Sequence, residues 1–562
     1  MCGIIGYLGN ELCIECILQG ISLIQNRGYD SIGVSYIHDL QINTIKQAST
    51  DVFDSLNAVT SKVRDLDIKT NIGIGHTRWA THGGKTDINA HPHSDINNNF
   101  SLVHNGTIYN YQEIKNMLLE EGVTFVSQTD TEVVVALINY YYVVHQLTVI
   151  ESIEKTIQQL TGTWAFVIIC NDYPNKMWIT RNGSPLLLGL EDDFAMIVSE
   201  QLAFGNHVKN YIPIDNHDII EITLEDNKVS YNHAINSQNI IEKQEQIIES
   251  SHLPYQHWML KEIFEQPRYA MQAINNGGRL ESNITVKLGG LDNHKILLMT
   301  LDNIIILGCG TSYNAGLWAI KLFKSLEIFN TVTIYDGAEF EESDIPKNGR
   351  TGLILLSQSG ETRDLLTCLD IVNNKDMITI GVVNVIDSMI ARNTTCGVYL
   401  NAGREVAVAS TKSFTNQCIV LAMIAVWFSQ FKSTHIDKRK QIIRDIRTIN
   451  LHMNNVLQRH DLIKQMAHDI ILHKSCFILG KGKDQAIANE AALKMKEIAY
   501  IHAEGFSSSA LKHGPFALIT PNLPIFIIDA EHAYHDKNSN AFHEVNARGA
   551  NTIIINNTSD LC

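Results

Sequence analysis

The chain has 562 residues, of which 45% are hydrophobic and 19% are charged, values typical of a globular protein with three or four domains. Lys and Arg number 44 against 60 Asp and Glu, giving a net charge of −16. This balance disfavours general binding to nucleic acids or membrane surfaces, because both depend on cationic patches. No signal peptide and no apolar run of about 18 residues is visible, so we predict no membrane span. The ten scattered Cys indicate reduced thiols in a cytoplasmic protein.

The first residues, Met1-Cys2-Gly3, offer a possible nucleophile. Removal of Met1 would leave Cys2 with both a thiol and a free α-amino group, which is the arrangement used by N-terminal nucleophile enzymes. The apolar run 4–8 predicts a strand that would hold Cys2 at a sheet end. By itself this start is weak, since a chain can begin with Met-Cys by chance.

Farther along, a short strand over 71–75 runs into a loop dense in polar side chains, and four histidines follow within this stretch. His76, His82, His91 and His93 suggest zinc, but no carboxylate or thiolate stands at ligand spacing. We therefore predict no metal.

Two polar elements come next in the chain. Asn105-Gly106 interrupts the apolar run 102–108, and this dipeptide is either a tight hairpin turn or a side-by-side pair of donors for an oxyanion. Asp130 precedes an apolar helix predicted over 133–142. It either complements the helix dipole or receives the ammonium group of a substrate.

These segments, in order, resemble the class II glutamine amidotransferase domain: MCGIIGY, QNRGYDSIG, HTRWATHGG, NAHPH, VHNGTIYN and SQTDTEV. The resemblance implies an α+β N-terminal-nucleophile domain that hydrolyses the side-chain amide of glutamine. Cys2 would be the nucleophile, with Asn105 and Gly106 as the oxyanion hole. The implied glutamine-binding residues are Arg78 for the α-carboxylate, Asp130 for the α-amino group, and Trp79, Thr81, His82, Arg27 and Gly28 around them.

The second half begins with a helix predicted over 257–266 and stopped by Pro267. Strand–turn–helix repeats follow, which are typical of parallel α/β sheets. Strands over 303–307 and 353–356 each run into a turn rich in Gly and hydroxyl groups, a natural anion site at a helix N-terminus. A dinucleotide site is the alternative, but Tyr313 stands where the third Gly of that fingerprint belongs. A phosphomonoester suits the two turns better.

The strand and turn recur over 476–483, as expected of a duplicated domain. A predicted helix then carries Lys494 and Glu497 on one face, an arrangement that is by default a surface ion pair. His513 follows in the segment LKHGP, where Gly-Pro and apolar neighbours argue against a merely solvated surface.

The segments GCGTSYNAG, SQSGET, VASTKSFTNQ, LKMKEIAYIHAEGF and LKHGP resemble, in order, the isomerase half of the glutamine–fructose-6-phosphate aminotransferases. The resemblance implies two α/β sugar-isomerase (SIS) domains, a homodimer and no cofactor. Glu497 would move the proton between C1 and C2, with Lys494 nearby and His513 assisting ring opening. The implied sugar-phosphate residues are Thr311, Ser312, Ser357, Gln358, Ser359, Thr362, Val408 and Ser410.

The predicted domains are the amidotransferase domain over 2–240, a linker and helical lead-in over 241–290, and sugar-isomerase domains over 291–432 and 465–562. In the resembled family a C-terminal tail supplies the lysine that forms a Schiff base with the ketose. No counterpart follows the strand predicted over 552–555, so we expect the second sugar domain to be truncated and to expose apolar surface. Two hypotheses result: a synthase that makes glucosamine 6-phosphate from glutamine and fructose 6-phosphate, or a glutaminase joined to a sugar-phosphate-binding module that no longer makes it.

Overall fold

The structure is a computed structural model that describes residues 2–9, 13–25, 28–50, 54–66, 68–80, 83–232, 240–243, 251–373, 375, 377–432 and 434–557. The chain divides into two compact units, Met1–Ser250 and Ser251–Cys562.

The described part of the first unit contains two antiparallel sheets and five α-helices. The strands are β1 (Gly3–Leu8), β2 (Ser31–His38), β3 (Gln41–Ala48), β4 (Ile72–Arg78), β5 (His93–Ser94), β6 (Phe100–His104), β7 (Thr107–Ile108), β8 (Gly162–Cys170), β9 (Lys176–Asn182), β10 (Leu187–Leu190), β11 (Ala195–Val198), β12 (Asn210–Pro213), β13 (Ile219–Glu225), β14 (Lys228–Tyr231) and β15 (Ile241–Glu242). The helices are α1 (Cys13–Leu23), α2 (Ser55–Leu66), α3 (Tyr111–Glu120), α4 (Asp130–Val143) and α5 (Val149–Gln159).

The two sheets pack face to face with helices outside them, in the order helix, sheet, sheet, helix. One sheet runs β15-β12-β10-β11-β1-β4-β2-β3 and the other β14-β13-β9-β8-β6-β5. Ile4 and Ile74 of the first sheet meet Val103 and Val167 of the second in an apolar layer. Separate cores lie under α1 and α2 and under α3, α4 and α5. This confirms the predicted α+β class.

Strand β1 lies in the centre of its sheet because it is apolar on both faces. It pairs with β11 and β4, and the register sets Gly3 opposite Thr77 and Ile4 opposite His76. Alternating side chains serve two cores: Ile4 and Leu8 face the second sheet, whereas Ile5 packs on the helix side. Cys2 therefore comes to the end of β4, next to the polar loop that follows it.

The second unit contains two parallel sheets with helices around them. Its strands are β16 (Asn303–Gly308), β17 (Thr331–Asp336), β18 (Thr351–Ser357), β19 (Ile378–Val383), β20 (Cys396–Tyr399), β21 (Ser475–Gly480), β22 (His502–Ser507), β23 (Pro524–Asp529) and β24 (Asn551–Asn556). Its helices are α6 (Trp258–Ala273), α7 (Gly289–Asp292), α8 (Lys295–Leu298), α9 (Thr311–Ser325), α10 (Arg363–Asn373), α11 (Met389–Asn393), α12 (Lys412–Phe431), α13 (Ile436–Leu457), α14 (His460–Ile470), α15 (Lys483–Lys494) and α16 (His535–Asn546).

The first parallel sheet runs β17-β16-β18-β19-β20 and the second β22-β21-β23-β24. Each has an apolar core on both faces, which is why strands such as β16 and β18 are buried throughout. These are the two α/β repeats predicted from the sequence. In the second sheet β24 lies at the edge, and Ile554 and Ile555 on it are exposed.

The prediction that Pro267 ends a helix is wrong. Helix α6 continues through Pro267 to Ala273. A proline inside a helix removes one hydrogen bond and costs about 3 kcal/mol. Burial of Pro267, Ala270 and Ala273 offsets that cost, because the second half of α6 packs on the core that also holds α12.

The prediction that no stretch is long and apolar enough to span a membrane also needs correction. Helix α12 meets both criteria, with a mean hydropathy of 1.4 over its best window. Of that window, 72% is buried inside the second unit, where Trp427 and Phe428 are fully buried. Its apolar sequence is therefore that of a core helix that faces neighbours on all sides.

Beyond β15, which pairs with β12 of the first unit, the predicted linker 241–290 contributes to the second unit. Ala270, Ile274, Val286 and Leu288 of this lead-in are buried in the core of the first parallel sheet.

Candidate active site

Cys2 lies half-buried at the start of β1 and contacts the backbone of Trp79. The Trp79 amide donates to Cys2 Sγ at 3.3 Å, and the thiol donates to the Trp79 carbonyl at 3.7 Å. Burial raises the pKa of the Cys2 thiol, while the hydrogen bond from Trp79 and the nearby Arg78 guanidinium oppose that rise. The Cys2 thiol is held in one place and is kept largely protonated, as suits a nucleophile that a base must activate.

Asn105 and Gly106 lie beside Cys2, in the loop between β6 and β7. Asn105 Nδ2 donates to the Cys2 carbonyl at 2.9 Å. The Asn105 backbone pairs with Ala165 in both directions, at 3.1 and 2.8 Å. Gly106 has φ +143°, and a Cβ there would lie 2.1 Å from the Thr163 carbonyl oxygen. The loop is therefore bound on two sides and requires glycine at its tip.

Arg78 ends β4 and is 4% exposed, with its guanidinium Nη1 3.5 Å from the Gly84 carbonyl oxygen. Burial lowers the pKa of Arg78, and the nearby Cys2, Asp30 and Asp130 partly offset that effect. A buried guanidinium near a thiol is well suited to bind a carboxylate. Trp79 next to it is exposed.

Asp130 occupies the first turn of α4, which begins three residues before the predicted start because Thr129 caps it by accepting from the Glu132 amide. Its carboxylate accepts from the Ile108 amide at 2.9 Å. Asp130 thus ties the helix to β7, directly after the Asn105-Gly106 loop.

Gly28 packs on the backbone of Arg78, since a Cβ there would lie 2.4 Å from the Arg78 carbonyl carbon. The structure thereby brings together Cys2, Asn105, Gly106, Arg78, Gly28, Trp79 and Asp130. Arg27, Thr81 and His82 lie outside the described residues.

Four buried histidines stand behind the Asn105-Gly106 loop. The rings of His76 and His91 stack with centroids 4.3 Å apart, and His93 meets His91 edge-on at 4.9 Å. Nδ1 of His104, on β6, forms a hydrogen bond of 3.0 Å with Thr131 Oγ1. Within the described ranges, no three His, Cys, Asp or Glu side chains are grouped so as to hold a metal ion.

Burial keeps three of these imidazoles neutral, those of His76, His91 and His93. It lowers the pKa of His76 to about 3 and lowers the pKa of His91 and His93 well below the usual value. Between a pH of about 6.5 and these lower values, the unfolded chain binds protons that the folded chain does not. The stability contributed by the neutral rings is therefore present above about pH 6.5 and lost as the pH falls.

We expect acid to destabilise the first unit steeply, by about 1.4 kcal/mol per pH unit for each buried ring. Thermal unfolding of the full chain at pH 7.5, 6 and 5 measures this. His91→Phe should flatten the dependence, whereas His145→Gln, at an exposed histidine of the same unit, should not change it. An equal slope in His91→Phe and the unaltered chain would contradict the prediction.

In the second unit, a hydroxyl-rich turn follows β18. Ser357 Oγ lies 2.8 Å from Thr362 Oγ1 and accepts from the Gly360 amide at 2.8 Å. Ser359 Oγ accepts from the Glu361 amide at 3.1 Å, and Gln358 beside it is half-buried. The three hydroxyls lie together just before α10, at the turn for which the sequence predicts an anion site.

Thr311 and Ser312 lie in the first turn of α9, which begins directly after Gly310 with φ +55°. Gln417 of the core helix α12 donates to Ser312 Oγ at 2.9 Å. Both turns follow neighbouring strands β16 and β18, so they lie at the same end of the sheet.

Lys494 and Glu497 form a network rather than a lone ion pair. Lys494 Nζ lies 2.6 Å from Glu497 Oε2, 3.0 Å from Thr311 Oγ1 and 3.4 Å from Glu490 Oε1. Glu490 also accepts from Thr311 Oγ1 and Asn314 Nδ2, each at 2.9 Å. The network connects α15 to the first turn of α9.

Glu490 is a residue that the sequence analysis missed. It is buried, and it links Thr311 to Lys494. Its spacing of four from Lys494 was the available signal, because residues four apart share a helix face.

Ser410 and Val408 lie in a loop organised by two buried carboxylates that the sequence analysis also missed. Glu405 accepts from Ser410 Oγ at 3.4 Å and from the Thr411 amide at 2.8 Å. Glu262 of α6 accepts from Thr411 Oγ1 at 2.8 Å. Val408 is half-exposed at the tip of this loop.

A cavity of about 540 Å³ brings Ser410 together with Glu490 and Lys494, and its remaining lining is largely apolar. Among the described residues, that lining includes neither Glu497 nor His513. His513 ends a short 3-10 helix and is exposed.

The corresponding turn of the second repeat is already filled by an acid. Glu531 accepts from the Lys483 amide at the start of α15, and its other oxygen lies 3.9 Å from Lys483 Nζ. A carboxylate there takes the donors that a phosphate would use. The two repeats therefore share a fold and differ in the side chains at this turn.

Comparisons with known proteins agree with this division. Residues 41–243 match the family described as glutamine amidotransferase domain, and residues 297–427 and 469–560 match the SIS domain family. A protein of Acanthamoeba polyphaga mimivirus, named "Probable glutamine--fructose-6-phosphate aminotransferase [isomerizing]", is 38% identical over 99% of this chain and 91% of its own length. One of Clostridium acetobutylicum, with the same name without the first word, is 35% identical over 98% of this chain and 90% of its own. This chain belongs to the glutamine–fructose-6-phosphate aminotransferase family.

A solved structure supports the family assignment for the second unit. The C-terminal domain of glucosamine-fructose-6-phosphate aminotransferase from Francisella tularensis superposes with a TM-score of 0.51 and 31% identity, covering 54% of this chain and 85% of that one. The aminotransferase family thus accounts for both units of the chain.

Proposed function

We propose that this chain transfers the amide nitrogen of glutamine to fructose 6-phosphate and isomerises the sugar, which gives glucosamine 6-phosphate and glutamate. One observation carries the proposal. One chain contains two sets of reactive groups. The first unit holds the Cys2 thiol beside Asn105, and the second holds the Lys494–Glu497 pair and a hydroxyl-rich turn after β18.

In the first unit, Cys2 attacks the side-chain amide of glutamine and its α-amine acts as base once Met1 is removed. Asn105 Nδ2 and the Gly106 amide stabilise the oxyanion. Arg78 binds the α-carboxylate and Asp130 the α-amino group. Trp79, Thr81, His82, Arg27 and Gly28 surround the substrate.

In the second unit, the sugar phosphate binds at the turns after β16 and β18, through Thr311, Ser312, Ser357, Gln358, Ser359 and Thr362. Val408 and Ser410 line the sugar pocket. Glu497 carries the proton between C1 and C2, because one carboxylate can reach both carbons. Lys494 holds that carboxylate in place, and His513 assists opening of the sugar ring. The protein acts as a homodimer in the cytoplasm and binds no nucleic acid.

The test is an assay of residues 1–562 for glucosamine 6-phosphate, with glutamate release measured in the same samples. Equal rates of the two products support the proposal. Glutamate without amino sugar would contradict the synthase activity and support a glutaminase joined to a sugar-phosphate-binding module.

The oxyanion role of Gly106 makes a separate prediction. In Gly106→Ala the new methyl group meets the Thr163 backbone, which cannot move without breaking β8, so we expect glutamate release to fall about 100-fold or more. Gly122→Ala is a matched control, since Gly122 also has a positive φ of +85° but its Cβ would meet nothing within 4 Å. Equal losses in both variants would assign the effect to backbone strain alone.

A further inference from the structure

We infer that His76 is a positioning residue for the oxyanion hole: its imidazole, kept as one neutral tautomer, sets the orientation of the Asn105 amide. The inference rests on the proposed glutaminase site. It gives a role to a buried imidazole for which the sequence suggested only a metal.

The tautomer of His76 follows from its partners. His76 Nε2 lies 3.0 Å from the His104 carbonyl oxygen and 3.0 Å from Asn105 Oδ1. A backbone carbonyl can only accept, so Nε2 must carry the hydrogen. His76 Nδ1 is buried and has no hydrogen-bond partner, as expected of the nitrogen without a hydrogen.

The orientation of the Asn105 amide is therefore specified at both ends. Oδ1 accepts from His76, and Nδ2 donates to the Cys2 carbonyl at 2.9 Å. A half-turn of the amide would set Nδ2 against the His76 N–H and Oδ1 against the Cys2 carbonyl, giving two repulsive contacts. Because an amide nitrogen has two hydrogens, one remains for an oxyanion next to Cys2.

The neighbouring rings hold His76 and the loop in place. His104 Nε2 lies 3.3 Å from the Thr163 carbonyl oxygen, which accepts only, so Nε2 carries a hydrogen, and Nδ1 lies 3.0 Å from the Thr131 hydroxyl oxygen. His91 stacks on His76 and lies 3.3 Å from Thr131 Oγ1 through Nε2. Thr163 is the residue against which Gly106 packs, so both halves of the oxyanion loop are tied to buried imidazoles.

His76 lies on β4 and Asn105 follows β6, in different sheets. Arg78 of the same strand acts on His76, and Lys46 of β3 acts on His93, while the carboxylate of Asp130 lies 3.5 Å from Thr131 Oγ1 on the far side of the cluster. The two cations, Arg78 and Lys46, disfavour protonation of these rings. The His76 N–H that orients the Asn105 amide thus belongs to a neutral imidazole near neutral pH.

The test measures glutamate release by the full chain carrying His76→Phe, which keeps a ring in the stack and removes the N–H. We expect kcat to fall between about 10- and 100-fold, less than the effect of about 100- to 1000-fold that loss of an oxyanion donor causes. KM for glutamine should change less than about twofold, because Arg78 and Asp130 are untouched. His76→Gln, whose side-chain amide can donate from the position of Nε2, should recover most of the loss.

The decisive comparison uses Asn105→Ala as background. With no amide to orient, His76→Phe should have no further effect on kcat there, whereas a merely structural defect would multiply with that of Asn105→Ala. His93→Phe removes a ring of the same cluster that contacts Thr129 and not the loop, and should cost less than His76→Phe. Thermal unfolding of each variant identifies any that fails to fold.

The proposed glutaminase site and the role of His76 are contradicted by different results. If Cys2→Ala and Asn105→Ala release glutamate as fast as the unaltered chain, the proposed glutaminase site is wrong. If both of those lose activity but His76→Phe keeps it, or loses it equally in the Asn105→Ala background, the role of His76 alone is overturned.

Discussion

Cys2→Ala is expected to reduce glutamate release by at least about 1000-fold, the scale seen when a covalent nucleophile is removed. Cys2 Sγ contacts both backbone groups of Trp79, and the Cys2 carbonyl binds Asn105. No other cysteine among the described residues shares these contacts, so none can replace Cys2 as the nucleophile. Synthesis of glucosamine 6-phosphate from glutamine should fall equally. The measurement is the rate of both products under saturating glutamine.

Cys16→Ala is the matched control for this loss. Cys16 lies on the buried side of α1, and burial raises the pKa of its thiol to about 11, so it remains protonated and unreactive near neutral pH. Its replacement should leave both rates within about twofold. Amino-sugar synthesis by Cys2→Ala from added ammonium would show that the thiol acts only in releasing nitrogen. Glutamate release that survives in Cys2→Ala would contradict the assignment of the nucleophile.

Much of this architecture could be predicted from the sequence because the signals are local. Strands β16 and β18 are unbroken apolar runs that end in Gly and hydroxyl turns, which is the pattern of a buried parallel strand followed by a helix. The positions of Cys2 and Asn105 followed from a family resemblance. Their contact, across 103 residues, needed the structure.

The errors and omissions have a common physical cause, which is packing between distant segments. The sequence predicts a helix end at Pro267 because a proline inside a helix costs free energy. Burial of the second half of α6 in the core offsets that cost. Glu490 shows its role only through Thr311, which is 179 positions away. The sequence shows that residue 76 is a histidine, whereas its tautomer depends on two oxygens, one from the end of β6 and one from the loop that follows. Residue type is visible in a sequence, but hydrogen-bond direction is not.

The Lys494 network explains why the two repeats of the second unit are not equivalent. In the first repeat, the turn after β16 meets a charged network, because Thr311 contacts both Lys494 and Glu490. In the second, Glu531 caps the start of α15. Since α15 also carries Glu490 and Lys494, the second repeat contributes two charged side chains to the network at the turn after β16.

Glu497→Gln is expected to reduce glucosamine 6-phosphate formation by at least about 1000-fold while glutamine hydrolysis continues. The amide of the new Gln side chain cannot take a proton from C1 and return it at C2. Loss of a well-positioned general base reduces rates by about this factor. The change keeps the size of the side chain, and Lys494 retains Glu490 as an ion-pair partner, so the fold should survive. Glutamate and amino sugar, measured together, separate the two activities.

Glu342→Gln is the matched control, because Glu342 is an exposed carboxylate of the same unit that pairs with Lys375 at the surface. Surface pairs of this kind contribute less than about 1 kcal/mol, so synthesis should stay within about twofold of the unaltered chain. Deuterium from solvent should enter C2 of the product in the unaltered chain and in Glu342→Gln, and not in Glu497→Gln. Undiminished exchange in Glu497→Gln would assign the proton transfer to another base, and buried Glu490, which shares Lys494, would then be the residue to replace.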